Sequence, residues 1–152
     1  MGARKCHPEV VHPTDSDAAR IPAGNVRVPR DEFVAHWREA LRRVELGDHE
    51  PADGYLEAVA HTCRWMAALP MRTALCGGQA RSPVRLRGWP ARADLIEAEW
   101  QAAQRAEEFL PELAARPGWC DGVRATLRWA WRGEGPPPLP AALSVAGATI
   151  IR

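Results

Sequence analysis

The chain has 152 residues, a formal net charge of +1 and 46% apolar residues, with seven Trp among them. That suits one domain with an indole-rich core, and it excludes a global field driving the chain toward nucleic acid or an anionic membrane. Lys5 is the only lysine; with abundant Ala, Gly and Pro, the remaining arginines fit a GC-rich bacterial coding sequence, so Arg content alone argues little for nucleic-acid contacts.

The first residues, "MGARKCHPEVVHP", have a basic start with no apolar run behind it, so no secretory signal is expected. No stretch approaches the ~18 apolar residues of a membrane-spanning helix. Residues 1–25 carry Pro, Asp, Ser and Gly without periodicity and read as a flexible arm. From Asp31 the pattern turns helical. Phe33, Trp37, Ala40, Leu41 and Val44 form one apolar stripe, Asp31 is placed to cap the start, and Gly47 to stop it.

A second helix follows Asp53, with Leu56, Val59, Cys63 and Met66 on one face, and Pro70 closes it. Residues 71–90 form a long Gly-, Pro- and Arg-rich connection. Asp94 can cap a third helix in which Ile96, Trp100, Ala103 and Leu110 share a face. A fourth runs from about Trp119 to Arg132 and ends at Gly133. "GPPPLP" then demands an extended polyproline segment, which serves either as a docking peptide or as a spacer.

An internal repeat organises these elements. "GYLEAVAHTCRWMA" starts at Gly54 and "GWCDGVRATLRWAW" at Gly118. The alignment pairs Tyr55 with Trp119, Glu57 with Asp121, Val59 with Val123, Thr62 with Thr126, Arg64 with Arg128 and Trp65 with Trp129. One residue out of step, Asp31, Trp37, Ala40 and Arg42 meet Asp94, Trp100, Ala103 and Arg105. The expected fold is therefore all-α: a four-helix bundle built from two tandem, sequence-related hairpins. It comprises a 1–25 arm, a helical domain over 26–132 with hairpins at about 26–70 and 84–132, and a Pro-rich 133–152 tail. On a helical wheel Tyr55, Thr62, Cys63 and Met66 flank Val59 in the core, each Thr hydroxyl can bond back one turn, and Trp65 sits half-buried at the edge. Glu57, His61, Arg64, Asp121 and Arg128 face outward.

The residues offer little catalytic chemistry. Glu57 and His61 are the nearest approach to a bundle metal pair, but the spacing points outward and the repeat replaces His61 by Ala125. Cys6, His7 and His12 are too few for a structural zinc site. Cys63 and Cys120 read as small core residues, and Cys76 is the one thiol in a predicted loop, beside Arg72 and Arg81. The four Cys show no framework spacing and read as free thiols of a reducing cytoplasm. Phosphate-cradle motifs are absent. No cofactor and no metal are expected.

Two surfaces remain. The repeated pairs Arg64–Trp65 and Arg128–Trp129 are candidate partner contacts, including self-association. The stretch "RSPVRLRGWPAR" puts Arg81, Arg85, Arg87, Trp89 and Arg92 together without an acid, a candidate nucleic-acid contact; the alternative is that these arginines pair internally with the acidic third helix. The leading expectation is a non-enzymatic binding or adaptor protein acting through protein–protein contacts. The alternatives are a nucleic-acid-associated regulator and a small enzyme or ligand-binding protein with a pocket between the hairpins where Tyr55, Trp119 or His36 converge.

Overall fold

The computed structural model describes residues 12–48, 54–69, 80–109 and 111–139. Among them the protein is all-α, with no strand. Cys6, His7, Asp53, Pro70, Arg72, Cys76, Leu110 and the tail from 140 onward lie outside the described residues.

Part of the expected arm is folded. Helix α1 spans Asp15–Arg20 behind a reciprocal capping box: the Thr14 hydroxyl accepts from the Asp17 amide at 3.1 Å, and the Asp17 carboxylate accepts from the Thr14 amide at 2.8 Å. A single 3-10 turn, Ala23–Asn25, follows. Arg38 donates twice to the Pro13 carbonyl and reaches Asp15 at 3.2 Å, while Ile21 is fully buried in the core. Apolar periodicity is blind to a segment held by caps and a single plugging side chain.

Helix α2, Arg30–Glu45, buries Phe33, Val34, Trp37 and Ala40, the expected stripe, with Leu41 and Val44 at its edge. It begins one residue before Asp31, directly behind Pro29, so Asp31 lies in the first turn. There its charge meets the positive end of the helix dipole instead of capping. Helix α3, Tyr55–Ala67, is buried on nearly every side because it packs against α2, against the last helix and beneath the crossover from residue 80. Its left-handed cap at Ala68 (φ 55°) ends it.

Helix α4, Ala93–Ala103, stops earlier than its apolar pattern implies. Arg124 takes the Ala103 carbonyl at 2.7 Å, an acceptor that a continuing helix would use, and also pairs with Glu107. Gln104 and Arg105 tighten to i−3 bonds, and the chain passes into the short helices α5, Ala106–Phe109, and α6, Pro111–Ala114. Helix α7, Trp119–Ala130, starts behind Gly118, whose φ of 84° a side-chain-bearing residue would adopt only with strain.

Among the described elements, α3 and α7 share the most extensive contact. A Cβ at Gly122 would stand 2.6 Å from the Tyr55 carbonyl oxygen and 2.8 Å from the Ala58 Cβ, so glycine sets the helix separation. After α7 the chain folds back. The Tyr55 hydroxyl donates to the Pro138 carbonyl at 2.7 Å, and Pro138 and Leu139 are buried. Pro136 stays exposed, so the described part of the Pro-rich segment is fastened at Pro138 and Leu139 rather than along its length.

Replacing Gly122 by Val should destabilise the fold by about 2 kcal/mol or more, because the clash is with backbone that cannot rotate away. Gly24→Ala, where an added Cβ meets nothing within 4 Å, serves as the control. Thermal unfolding should show several degrees lost for the first and little change for the second.

Candidate functional site

The crossover between the helical halves is where the exposed chemistry collects. A loop with a buried backbone must give each N–H and C=O a partner, and here side chains supply them from four directions. The Asn25 amide donates to Ala91 O at 2.9 Å and Met66 O at 2.8 Å. His61 on α3 donates from Nε2 to Arg81 O at 2.7 Å. The Trp119 indole N–H on α7 donates to Pro83 O at 3.2 Å. Glu99 on α4 accepts from the amides of Val84 and Arg85, the latter at 3.0 Å. Inside the turn, Ser82 N bonds Arg87 O at 2.9 Å, Leu86 N bonds Ser82 O at 3.1 Å and Arg87 N bonds Ser82 Oγ at 2.9 Å.

Glu99 is the organising group. It is fully buried, and burial pushes its carboxyl above the ordinary value, while the two amides, Ser82 and the Arg85 charge pull the other way. His61 is shifted downward by burial, with Arg64 adding repulsion, so the neutral ring that donates to Arg81 is the favoured form. The sequence pattern places His61 on the outer face, whereas it turns to the crossover backbone, and Glu99 is not singled out there as a site. The signal for Glu99 lies in its register: it is three residues after Ile96 and four before Ala103, on the apolar side of α4. His61 faces the crossover and is only partly covered by it.

This scaffold presents an unusual surface. Leu86 has φ 57°, the left-handed region a leucine rarely occupies, yet its side chain is 46% exposed. Local backbone geometry would favour glycine there, so the side chain is held out at a conformational cost. Trp89 is 66% exposed, and Arg81, Arg85 and Arg87 are also exposed around it. Beside the turn, a cavity of about 700 Å³ is lined by Val84, Arg85, Arg87, Ala98, Gln101, Ala102 and Arg105. That volume falls within the usual range of ligand clefts, roughly 300–1,000 Å³.

The five residues predicted for nucleic-acid contact separate here. Arg92 pairs with Asp94 at 2.7 Å, and Arg81 bends back toward Leu86 O at 3.4 Å. Arg85 and Arg87 make no ion pair among the described residues and face the cavity. An ion pair with the acidic helix therefore forms at Arg92, while Arg85 meets Glu99 of that helix through its amide and its charge. The acids are engaged elsewhere: Glu97 with the Trp131 indole at 3.0 Å and Arg132 at 3.8 Å, Glu107 with Arg124, and Glu108 with Arg105 at 2.7 Å.

The Arg-Trp pairs are placed differently from the expectation. Trp65 and Trp129 are buried, not half-exposed flanks. Trp129 stacks on Phe33 at 6.3 Å and sits 4.6 Å from the His36 ring, and the Trp65 indole nitrogen is inside the core. The reason is that α3 and α7 pack on each other and on their neighbours over more than one face, which covers the sides carrying these indoles. Arg64 is half-buried, its ionised form disfavoured by desolvation, and Arg128 is exposed. In this structure the two indoles therefore present little surface, while Arg128 stands exposed.

Among the described residues Tyr55, Trp119 and His36 reach different partners. They serve Pro138, Pro83 and the Trp129 ring separately. Burial raises both the Cys63 and the Cys120 thiol, opposite to nucleophile activation. Glu57 is ion-paired with Arg116, and among the described residues no three His, Cys, Asp or Glu side chains come together as a metal site. Thr126 bonds back to Gly122 O at 2.8 Å as expected, whereas the Thr62 hydroxyl does not make the equivalent bond.

Glu99→Gln should keep the loop, since an amide oxygen can accept from the same two N–H groups. Glu99→Leu should cost about 2–4 kcal/mol by stranding them. A carboxyl raised in the folded state contributes stability that is complete below its unfolded value near 4.5 and fades as pH rises through its folded value. The stability of Glu99→Gln relative to wild type should therefore increase from pH 4 to pH 8, a difference that urea unfolding at both pH values measures and in which His61 cancels. No protein-family model matches this chain, and no curated protein or solved structure is detectably similar to it.

Proposed function

We propose that this chain is a non-enzymatic binding or adaptor module that works through protein–protein contacts, and that the loop over residues 81–92 is its contact surface. The observation that carries this is Leu86: an apolar side chain displayed in the left-handed region, on a turn braced by a buried carboxylate. Such bracing fixes the loop before any partner arrives, so little ordering entropy is lost on binding. Arg and Trp are the residue types that concentrate binding energy at protein interfaces, and both flank Leu86 here.

The scaffold behind the loop reads as a four-helix bundle of two tandem hairpins. Supporting it, α2 packs on α3, α4 on α7, and α3 on α7. Ala58 and Gly122, equivalent in the repeat, meet each other, as residues near a pseudo-twofold axis must. A cytoplasmic location accords with the free, buried Cys63 and Cys120 and with the absence, among the described residues, of a helix long and apolar enough to cross a membrane.

One observation favours a second reading: exposed Trp89 beside Arg85 and Arg87 matches a base-stacking platform with phosphate ligands, which would make the chain a nucleic-acid-associated regulator. The two readings separate in one experiment. Tagged wild type and the Leu86→Ser/Trp89→Ser variant are used to capture partners from host lysate, with and without nuclease, after circular dichroism confirms equal folding. A protein retained by wild type after nuclease and lost by the variant is the expected result. Recovery abolished by nuclease transfers the surface to nucleic acid, and equal capture by the variant removes the loop from the account.

A further inference from the structure

We infer that the cavity beside this loop receives an acidic segment of the partner protein, with an apolar side chain at its centre and carboxylates at its edge. The inference rests on the reading of residues 81–92 as the contact surface and adds the chemistry of what docks there. The cavity wall is divided. Val84, Ala98 and Ala102 give an apolar floor, with the two alanines one helical turn apart on α4. Arg85, Arg87 and Arg105 with Gln101 supply the polar part of the lining.

The charge around the cavity is one-sided. Among the described residues no acid lines it; Arg105 is shared with Glu108, the Arg85 charge also acts on the buried Glu99, and Arg87 makes no ion pair with a described acid. Guanidinium groups pair with carboxylates through two parallel hydrogen bonds, which gives both attraction and orientation. The apolar floor accommodates a branched or aromatic side chain between them.

A polyanion fits this site less well than a short acidic peptide. Glu108 stands at the Arg105 side, so a strand carrying one phosphate per nucleotide meets repulsion there. A peptide can place one or two carboxylates at Arg85 and Arg87 and avoid that acid. The chain's net charge of +1 supplies no general field for a nucleic acid. Trp89, the stacking candidate, is not part of the cavity lining.

The test uses an immobilised array of short peptides that vary independently in acidic and apolar content, probed with the full chain. Fluorescence anisotropy follows with the best binder, its Asn/Gln analogue and an oligothymidylate of matched charge. The expected result is retention of acidic peptides bearing an apolar anchor, binding roughly tenfold weaker for each of Arg85→Ala and Arg87→Ala, and no change for Arg92→Ala, whose guanidinium is held by Asp94 outside the cavity. Arg→Lys at either position should recover only part of the affinity. Retention without acidic bias, or equal binding by the double Arg85→Ala/Arg87→Ala variant, overturns the inference, as does tighter binding of the oligothymidylate. The contact-surface reading is judged separately: lysate capture lost with Leu86→Ser/Trp89→Ser but kept with Arg85→Ala/Arg87→Ala leaves the loop as the interface and removes the acidic segment.

Discussion

A connection that passes through the interior of a protein must find hydrogen-bond partners for its own backbone, and the rest of this structure depends on how that requirement is met. The segment from Ala80 to Ala91 is buried at Ala80, Ser82, Pro83, Val84 and Ala91, yet it belongs to no regular element. Glu99, His61, Trp119 and Asn25 satisfy it one bond at a time. Each comes from a different element, so the loop also ties together α3, α4, α7 and the 3-10 turn. A carboxylate is the one acceptor in this set, and it faces two successive amides, the same geometry by which an acid caps a helix start. Burying it carries a desolvation penalty that the two amides offset in part.

The same economy appears where α4 ends. Arg124 captures the Ala103 carbonyl and then Glu107, so one side chain terminates a helix and steers the next segment. That clasp, the Tyr55–Pro138 bond and the Arg38–Pro13 bonds are all long-range contacts from side chain to backbone carbonyl. They fasten segments whose composition, rich in Pro and Gly, would otherwise lack ladder or helix bonds. The helical pair α3–α7 can approach closely because Gly122 faces Ala58, and these fastenings then close the surface around it.

Much of the helical core was legible in the residues. The stripe Phe33–Trp37–Ala40, the buried face around Val59 and the start of α7 at Trp119 follow from period and breakers alone. Three things were not legible, each for a physical reason. Helix α1 is defined by caps and a single plugging Ile21, which leave no periodic trace. The buried state of Trp65 and Trp129 depends on how many neighbours a helix has, a tertiary property absent from a wheel. That Arg85 and Arg87 make no ion pair depends on where the acids of α4 and α5 turn: Glu97, Glu107 and Glu108 are drawn off by Trp131, Arg132, Arg124 and Arg105, and Glu99 turns inward. The basic loop itself was visible; its bracing by Glu99 was hinted at only by a carboxylate in an apolar register.

The distribution of indoles has one further consequence. Trp37, Trp65, Trp119, Trp129 and Trp131 are enclosed, and Trp100 is half-covered beneath Arg132, while Trp89 alone stands in solvent among them. Its emission is therefore open to aqueous quenchers from which the enclosed rings are shielded. The molecule carries a built-in optical reporter at its loop, able to register occupancy there without any label being attached.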